Sequence, residues 1–298
     1  MISPSTKALP RSLMENDWKV LLQRIRTGRC IPFLGAGACH GTLPLGGDIA
    51  AQWASDNNYP LDDRNDLAHV AQFLAVEYDP YFPKIDLVDK LMRVPPPDFA
   101  GLDEPHALLA DLPLPIYMTT NYDNFMVQAL KRAGRAPRTD YCAWNKFIRG
   151  QGSVFDDGFR PDVPNPLVYH LHGGIAVIES MVLTEDDYLD FLVTVARETS
   201  VLPHPIEKAL AESSLLFLGY RLADWDFRVL FRSLITYMER SLSKVHISVQ
   251  LVPVGDKASE EQTVHALKYL DKYFGKSDVK VYWGTCREFS AELRSRWI

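Results

Sequence analysis

The sequence predicts an α/β fold, a Rossmann-like, doubly wound and mainly parallel sheet with a smaller inserted helical module. First, short apolar runs typical of buried strands alternate with amphipathic stretches typical of helices. Such alternation indicates a parallel sheet with helices on both faces. Second, residues 50–105 carry helical periodicity without a strand signal, which indicates the inserted module. Third, a chain of 298 residues with 47% hydrophobic and 23% charged residues is typical of a globular protein.

The predicted elements divide the chain into an N-terminal arm, residues 1–14, and one domain, residues 15–298. Glycine and proline punctuate residues 134–166, which predicts a second, loop-rich insertion. The predicted strands are 30–34, 114–118, 167–172, an edge strand at 181–183, 215–218, 247–252 and 279–283. The predicted helices include 15–27, 48–56, 106–112, one from Asn124, one after 184–187, 205–212, one from Asp224, 260–273 and 286–296.

Charge and composition argue against several classes of partner. The net charge is −6 and the pI about 5.8. Direct nucleic-acid binding is therefore not expected, because it typically requires a basic patch or stripe. No apolar run approaches the roughly 20 residues of a membrane span, and the arm lacks the apolar core of a secretory signal. We therefore expect a cytoplasmic protein without membrane contact. The four cysteines form no C-x-x-C pair, so we predict free thiols and no metal.

Four predicted strands end in residues typical of a binding site. Gly35 and Gly37 follow the first strand, and Asn121 and Asp123 follow the second. The other two ends carry the pairs His172-Gly173 and Gly219-Tyr220. A parallel sheet presents the carboxyl ends of its strands at one edge, where ligands bind. We therefore expect these groups to meet at one site.

Each of these signals has an alternative interpretation. Asn121 or Asp123 can simply cap the following helix. The small residues 35–41 suit a phosphate-binding loop, but His40 stands where the third glycine of G-x-G-x-x-G belongs, and a plain tight turn is the alternative. Tyr220 and Trp225 can stack on adenine, although burial is the commoner fate of such side chains.

The histidines and cysteines also have alternatives. Strand alternation places Val168, His170 and His172 on one face, and two such histidines can bind zinc. No third ligand is suggested nearby in sequence, and His170 fits better as a hydrogen-bonded core histidine. Cys39 as a nucleophile activated by His40 is disfavoured because adjacent residues rarely face each other. His106 is expected to pack or to cap a helix.

A dinucleotide over this edge would meet groups suited to cleaving its nicotinamide–ribose bond. Backbone N–H groups of the glycine loop would hold the pyrophosphate, and Gly219 would allow the adenosine half to come close. The leaving group is neutral, and the transition state should resemble an oxocarbenium ion. The carboxamide of Asn121 can orient water without titrating, and the imidazole of His172 can accept a ribose hydroxyl proton.

These residues together resemble the SIR2-like (sirtuin-related) superfamily. The matching segments are 33–38, 119–123, 170–173 and 217–220, and their order is that of the family. The resemblance implies a Rossmann-like NAD domain, with Asn121 and His172 as catalytic residues and Asp123 as a contact of NAD. It also implies that NAD contacts residues of three strand ends: Gly35, Ala36, Gly37, Thr120, Gly219 and Tyr220.

Three departures from the deacylase sirtuins bear on which reaction the resemblance implies. The paired zinc cysteines are absent, and residues 119–123 read T-T-N-Y-D. Both features are similar to bacterial anti-phage SIR2-like domains, which hydrolyse NAD in abortive infection. The third departure is Cys39, which stands where sirtuins usually carry serine. We therefore expect an NAD+ hydrolase; the alternatives are an NAD-dependent protein deacylase or ADP-ribosyltransferase, and a non-catalytic NAD-binding assembly module.

The resemblance also implies how such a protein is controlled. The chain ends soon after its last predicted strand–helix unit, which leaves no room for a sensor domain. Family members built this way tend to be regulated by a separate partner, such as a HerA-type ATPase or a short Argonaute. We also expect a homo-oligomer that is inactive when isolated, since unregulated NAD hydrolysis would kill the host.

Overall fold

The computed structural model describes residues 13–197, 201–220, 246–250, 265–266, 268–270, 272 and 279–297. At its centre lies a seven-stranded sheet in which every strand pair is parallel. In chain order the strands are β1 (Cys30–Leu34), β2 (Ile116–Thr119), β3 (Arg138–Tyr141), β4 (Leu167–His170), β5 (Ser214–Leu218), β6 (His246–Gln250) and β7 (Val279–Trp283). Their order across the sheet is β3-β4-β2-β1-β5-β6-β7. The predicted parallel α/β fold is confirmed.

Helices cover both faces of this sheet. Those whose bounds are described are α1 (Glu15–Arg26), α2 (Gly46–Asp56), α3 (Leu67–Glu77), α4 (Phe82–Met92), α5 (Pro105–Asp111), α6 (Phe125–Arg132), α7 (Lys146–Gln151), α8 (Glu185–Arg197), α9 (His204–Glu212) and α10 (Cys286–Trp297). On one face, which we call the α1 face, Trp18, Met126 and Phe289 pack against the sheet. On the opposite face, the α8 face, Phe191 and Ile206 do so. The sheet is therefore doubly wound, as predicted.

The strand order places three loops at one point of the sheet edge. From β1 the chain forms β2 on one side and later β5 on the other, so β1 is the point where the winding reverses. Leu34 is in register with Thr119 of β2 and with Leu218 of β5. The residues that follow these three strands therefore begin at the same level, in the position where open α/β sheets bind ligands.

Between β1 and β2 lies a group of helices with a core of its own. Trp53 of α2, Leu74 of α3 and Leu87 of α4 are buried together, and Met181 and Leu183 close this cluster. These helices therefore pack on each other and on the segment after β4, while α5, the last helix before β2, packs on the α1 face of the sheet.

Two segments differ from the prediction. Strand β3 forms at the sheet edge, inside the stretch that we predicted as a loop-rich insertion. Conversely, Met181, Val182 and Leu183 form no strand; they are a buried loop, and the Val182 N–H donates to the His172 carbonyl oxygen at 2.9 Å. Their apolar character comes from packing against helices and not from pairing in the sheet.

Several predictions fall outside the described residues. These are most of the arm at residues 1–14, the helix from Asp224 including Trp225, and most of the helix at 260–273. Among the residues that the structure does describe, no helix is both long and apolar enough to cross a membrane.

Candidate functional site

The Asn121 carboxamide is held in one orientation directly after β2. Its backbone N–H donates to Thr119 Oγ1 at 2.9 Å, and its Nδ2 donates to the Gly35 carbonyl oxygen at 3.1 Å and to Cys39 Sγ at 3.3 Å. A carbonyl oxygen can only accept, so the amide nitrogen must be the atom that faces Gly35. Asn121 Oδ1 accepts no hydrogen bond from any described residue, and the side chain is only half-buried. The amide oxygen is thus available to a water molecule or a ligand.

Asp123 combines two roles. Its Oδ1 accepts from the Phe125 N–H at 2.9 Å, at the start of α6, and its Oδ2 accepts from Cys39 Sγ at 3.3 Å. The capping alternative therefore holds for one oxygen of Asp123, whereas the Asn121 side chain caps no helix among the described residues. The carboxylate is buried and connects the start of α6 to the turn after β1.

A buried polar cluster extends from Cys39 to α5. His106 Nε2 lies 3.9 Å from Cys39 Sγ, and His106 Nδ1 lies 2.7 Å from Glu104 Oε1. Glu104 Oε2 accepts from the Ala107 N–H at 2.5 Å and so caps α5. We call Cys39, Glu104, His106 and Asp123 the thiol cluster; all four side chains are buried. We expected His106 to pack or cap and did not predict this cluster.

Burial and neighbouring charges shift two pKa values in the thiol cluster. Burial, followed by the charge of Asp123, raises the pKa of the Cys39 thiol well above its ordinary value. Burial would also raise the pKa of Glu104, but hydrogen bonding and charge from His106, with the N–H groups at the start of α5, outweigh it and lower that pKa. Without a cation nearby, Cys39 is therefore a neutral thiol and Glu104 a carboxylate.

The glycine loop packs tightly on the loop after β5. A Cβ atom on Gly35 would lie 2.9 Å from the Gly219 carbonyl oxygen, and a Cβ on Gly37 would lie 2.9 Å from Gly219 Cα. Gly219 itself has a φ of +81°. Close backbone approach thus explains why these three positions are glycine. Residues Ala36–Cys39 form a single 3₁₀ turn, which matches the tight-turn alternative.

Three N–H groups of this loop are already paired. Those of Gly35, Gly37 and Ala38 donate to the carbonyl oxygens of Leu218, Gly219 and Gly35, at 2.9 Å in each case. In this conformation they are not free to bind a pyrophosphate. The roles of Gly35, Ala36, Gly37 and Gly219 in NAD binding remain predictions.

Thr120 and Tyr220 meet across β1. Tyr220 OH lies 2.9 Å from the Leu34 carbonyl oxygen, to which it donates, and 3.0 Å from Thr120 Oγ1. The structure thus brings together the two predicted cofactor contacts from β2 and β5. Burial raises the pKa of Tyr220, so its hydroxyl stays protonated.

His172 lies beside Asn121 in the backbone, and its side chain contacts a different set of residues. The Leu171 and Ile175 N–H groups donate to the Thr119 and Tyr122 carbonyl oxygens at 2.8 and 2.9 Å, so the two loops run side by side. The His172 ring packs edge-on against Tyr188 and Phe191 of α8, with centroids 5.4 and 4.9 Å apart. Within the described part of the chain, no hydrogen bond joins His172 to Asn121.

This position corrects the predicted alternation. Strand β4 ends at His170, and His172 packs on the α8 face, whereas Val168 packs on the α1 face. His170 Nδ1 lies 3.1 Å from the Asn121 carbonyl oxygen, which fits the core histidine that we predicted. The two histidines face different surroundings and do not form a paired metal site.

The His172 environment is apolar. Burial lowers the pKa of its imidazole from 6.5 to about 4. At neutral pH the ring is uncharged, and its lowered pKa makes it a weaker base than an exposed histidine.

A separate cleft of about 620 Å³ lies between the helices after β1 and those after β3 and β4. Its lining includes Tyr81, Trp144 and Phe147 and a buried ion pair in which Lys84 Nζ lies 2.9 Å from Asp187. None of the predicted site residues lines it, so this cleft is distinct from the candidate site at the ends of β1, β2 and β5.

Comparison with known families supports the motif assignment. The profile of the SIR2-like domain matches residues 115–274, which is more than half of the chain and includes Asn121, His172 and Gly219. The chain belongs to the SIR2-like domain family. Within the family match lie three of the four strand-end motifs on which the resemblance was based.

Curated relatives of this SIR2-like protein share one name. A protein called "NAD(+) hydrolase ThsA" from Acinetobacter baumannii is 22% identical over 303 residues, covering 96% of this chain and 58% of the relative. Proteins of the same name from Cytobacillus dafuensis and Enterococcus faecium are 25% and 29% identical over 70% and 41% of this chain, and 38% and 23% of their own lengths. The chain thus spans less than two thirds of the curated relatives that it matches.

A solved structure described as "Structural Basis for the Mechanism and Regulation of Sir2 Enzymes" aligns with 95% of this chain and 98% of its own. The TM-score is 0.37 and the sequence identity 12%.

Proposed function

We propose that this SIR2-like protein is an NAD+ glycohydrolase, which cleaves the nicotinamide–ribose bond of NAD+ to give ADP-ribose and nicotinamide. The observation that carries the proposal is the fixed carboxamide of Asn121 at the reversal point of the sheet, with its oxygen available. The common name of the curated relatives supports the same substrate.

In the proposed reaction Asn121 positions the nucleophile. Its amide nitrogen is anchored on Gly35 and Cys39, so Oδ1 has a defined direction in which to accept a hydrogen bond from a water molecule. A carboxamide does not titrate, so this water can be oriented over a wide pH range. Orientation of this kind converts a bimolecular encounter into a positioned attack on the ribose carbon.

His172 is proposed to accept a proton from a ribose hydroxyl. Its imidazole is neutral at physiological pH, as a base must be before it acts. The ring lies on the α8 face against Tyr188 and Phe191. A ribose that contacts both residues must therefore bridge the loop after β2 and the α8 face. Thr120, Asp123 and Tyr220 are proposed to line this path.

The biological role is proposed from the resemblance. We infer an effector of an anti-phage abortive-infection system in the cytoplasm, assembled as a homo-oligomer and activated by a partner such as a HerA-type ATPase or a short Argonaute.

The direct test is incubation of the purified full chain with NAD+, with and without the products of adjacent genes. Chromatography should show NAD+ loss with equal amounts of ADP-ribose and nicotinamide in at least one assembled state. Intact NAD+ in every assembled state would contradict the proposal. A requirement for an acylated peptide would instead indicate a deacylase.

One observation favours a second candidate, a non-catalytic NAD-binding module. The side chains of Asn121 and His172 contact different residues, and the N–H groups of Gly35, Gly37 and Ala38 are paired within the protein. This candidate predicts saturable NAD+ binding by calorimetry without loss of NAD+. Turnover that depends on Asn121 would exclude it.

A further inference from the structure

We propose that Cys39, His106 and Asp123 bind a zinc ion. The three residues come from the turn after β1, the start of α5 and the loop after β2, and their ligand atoms all lie within 4.8 Å of one another. Cys39 Sγ is 3.3 Å from Asp123 Oδ2 and 3.9 Å from His106 Nε2. In a tetrahedral zinc site with bonds of about 2.0–2.3 Å, ligand atoms are roughly 3.5 Å apart. The two separations from the sulfur are therefore close to those of a bound zinc ion.

The thiol cluster also contains the outer contact that a zinc-binding histidine needs. Glu104 Oε1 lies 2.7 Å from His106 Nδ1, which places the proton on Nδ1 and leaves Nε2 as the ligand atom toward Cys39. Zinc-bound histidines almost always donate their second N–H to a carboxylate, a carbonyl oxygen or water. Asn121 Nδ2 donates to Cys39 Sγ at 3.3 Å, as a second contact suited to a bound thiolate.

Charge favours a cation at this position. Glu104 and Asp123 place two carboxyl groups in the interior, each less than a tenth exposed. In the described part of the chain, Glu104 pairs with the His106 ring at 2.7 Å, and no lysine or arginine forms an ion pair with Glu104 or Asp123. Buried carboxylates are normally paired with cations or bound to metals. Zinc binding would release the Cys39 thiol proton and balance the thiolate and the Asp123 carboxylate, with His106 as a neutral ligand.

The same geometry argues against Cys39 as a catalytic nucleophile. Its sulfur donates to the Asp123 carboxylate, and its separation from His106 Nε2 is long for proton transfer. A neighbouring negative charge disfavours a free thiolate but not one bound to zinc. The sequence predicted no metal, and it could not suggest this site because the three residues come from distant segments.

Zinc here would tie three loops together beneath the candidate active site. Its fourth ligand would be a water molecule, since the Asn121 atom that faces the sulfur is the amide nitrogen, a hydrogen-bond donor that cannot bind zinc. Through its bond to Asp123 the ion would fix the loop that carries Asn121. The proposal does not depend on NAD+ hydrolysis, because it rests only on the ligand geometry of the thiol cluster.

The test is metal analysis of the full chain, expressed in zinc-supplemented medium and purified without chelators. Plasma mass spectrometry should find about one zinc per chain in the wild type and about a tenth of that or less in Cys39→Ala. Cys142→Ala removes another buried thiol and His204→Ala an exposed imidazole, so both controls should retain the metal. Absence of zinc from the wild type even after zinc titration, or equal zinc in Cys39→Ala, would overturn the proposal.

A second measurement covers the case in which Cys39→Ala does not fold. Cobalt titration of the metal-free wild type should produce thiolate-to-cobalt charge-transfer absorption. Glu104→Gln keeps an oxygen that can accept from the Ala107 N–H but removes the negative charge of the carboxylate beside His106. This variant should therefore bind cobalt about 10- to 100-fold more weakly. A wild-type cobalt complex without the thiolate band, or unchanged affinity in Glu104→Gln, would contradict the assignment. These readouts do not involve NAD+, so they are independent of the proposed enzyme activity.

Discussion

At the scale of single residues, the surroundings of His172 determine its charge. Sequence reasoning placed this histidine at a strand end, which the structure confirms, but assigned its side chain to the wrong face because β4 ends at His170. The side-chain direction after a strand end depends on which helix packs there, and local alternation does not contain that information.

The buried imidazole of His172 predicts acid destabilisation. Its pKa is about 4 in the folded protein against 6.5 when unfolded, so between these values the unfolded chain binds more protons and stability falls as pH falls. This histidine should remove about 2 kcal/mol of stability between pH 7 and pH 5. Urea unfolding at both pH values should show that loss in the wild type. In His172→Phe the free energy of unfolding should fall by about 2 kcal/mol less between the two pH values. An equal pH dependence in the two proteins would show that the ring titrates normally.

Gly219 should tolerate no side chain. Its φ is +81°, and an added Cβ would lie 2.7 Å from the Gly35 carbonyl oxygen and closer still to the Ala38 nitrogen. Gly219→Ala should therefore destabilise the protein by about 3 kcal/mol or more. Gly134 is the matched control, with a φ of +78° and nothing within 4 Å of an added Cβ. Gly134→Ala should cost only about 1 kcal/mol in thermal or urea unfolding, from backbone strain alone. Similar losses at both positions would contradict the close packing of the two loops.

At the scale of elements, the errors of sequence reasoning have a common cause. Strand β3 reads Arg-Thr-Asp-Tyr, an edge strand without an apolar run, and only Asp140 among its residues is buried. Its identity as a strand comes from pairing with β4, which no local pattern reveals. The segment 181–183 shows the reverse, since its apolar residues are buried without sheet pairing. By contrast, β1, β2 and β5 were predictable because strands buried on both faces are apolar throughout.

The Lys84–Asp187 ion pair should hold α4 against the start of α8. The two side chains are only 8% and 15% exposed, and Asp187 also accepts from the Leu183 and Thr184 N–H groups. Lys84→Met leaves the carboxylate without its cation and should lower the free energy of unfolding by about 2 kcal/mol. Lys90→Met, which removes the more exposed pair with Asp86, should change it by less than about 0.5 kcal/mol. Equal effects in urea unfolding would show that burial does not strengthen the first pair.

At the scale of the whole molecule, the doubly wound sheet brings distant motifs to one edge. The alternation of strands and helices was sufficient to predict that Asn121 and Gly219 lie at one edge of the sheet, and the order β2-β1-β5 places their loops on either side of the loop after β1. Alternation could not predict the thiol cluster, because Cys39 and Asp123 meet His106 only once α5 packs beneath the sheet edge.

The central claim is that the Asn121 carboxamide orients the water that cleaves NAD+. Turnover by the assembled protein should therefore fall at least about 100-fold in Asn121→Ala, a loss typical of a group that positions a reactant. Asn124→Ala is the matched control, because this exposed asparagine three residues away forms a side-chain hydrogen bond with Gln128 and none with the predicted site residues among those described, and the turnover of this variant should equal that of the wild type. Chromatographic measurement of ADP-ribose formation in the three proteins decides the matter: loss in Asn121→Ala alone supports the account, and wild-type turnover in Asn121→Ala contradicts it.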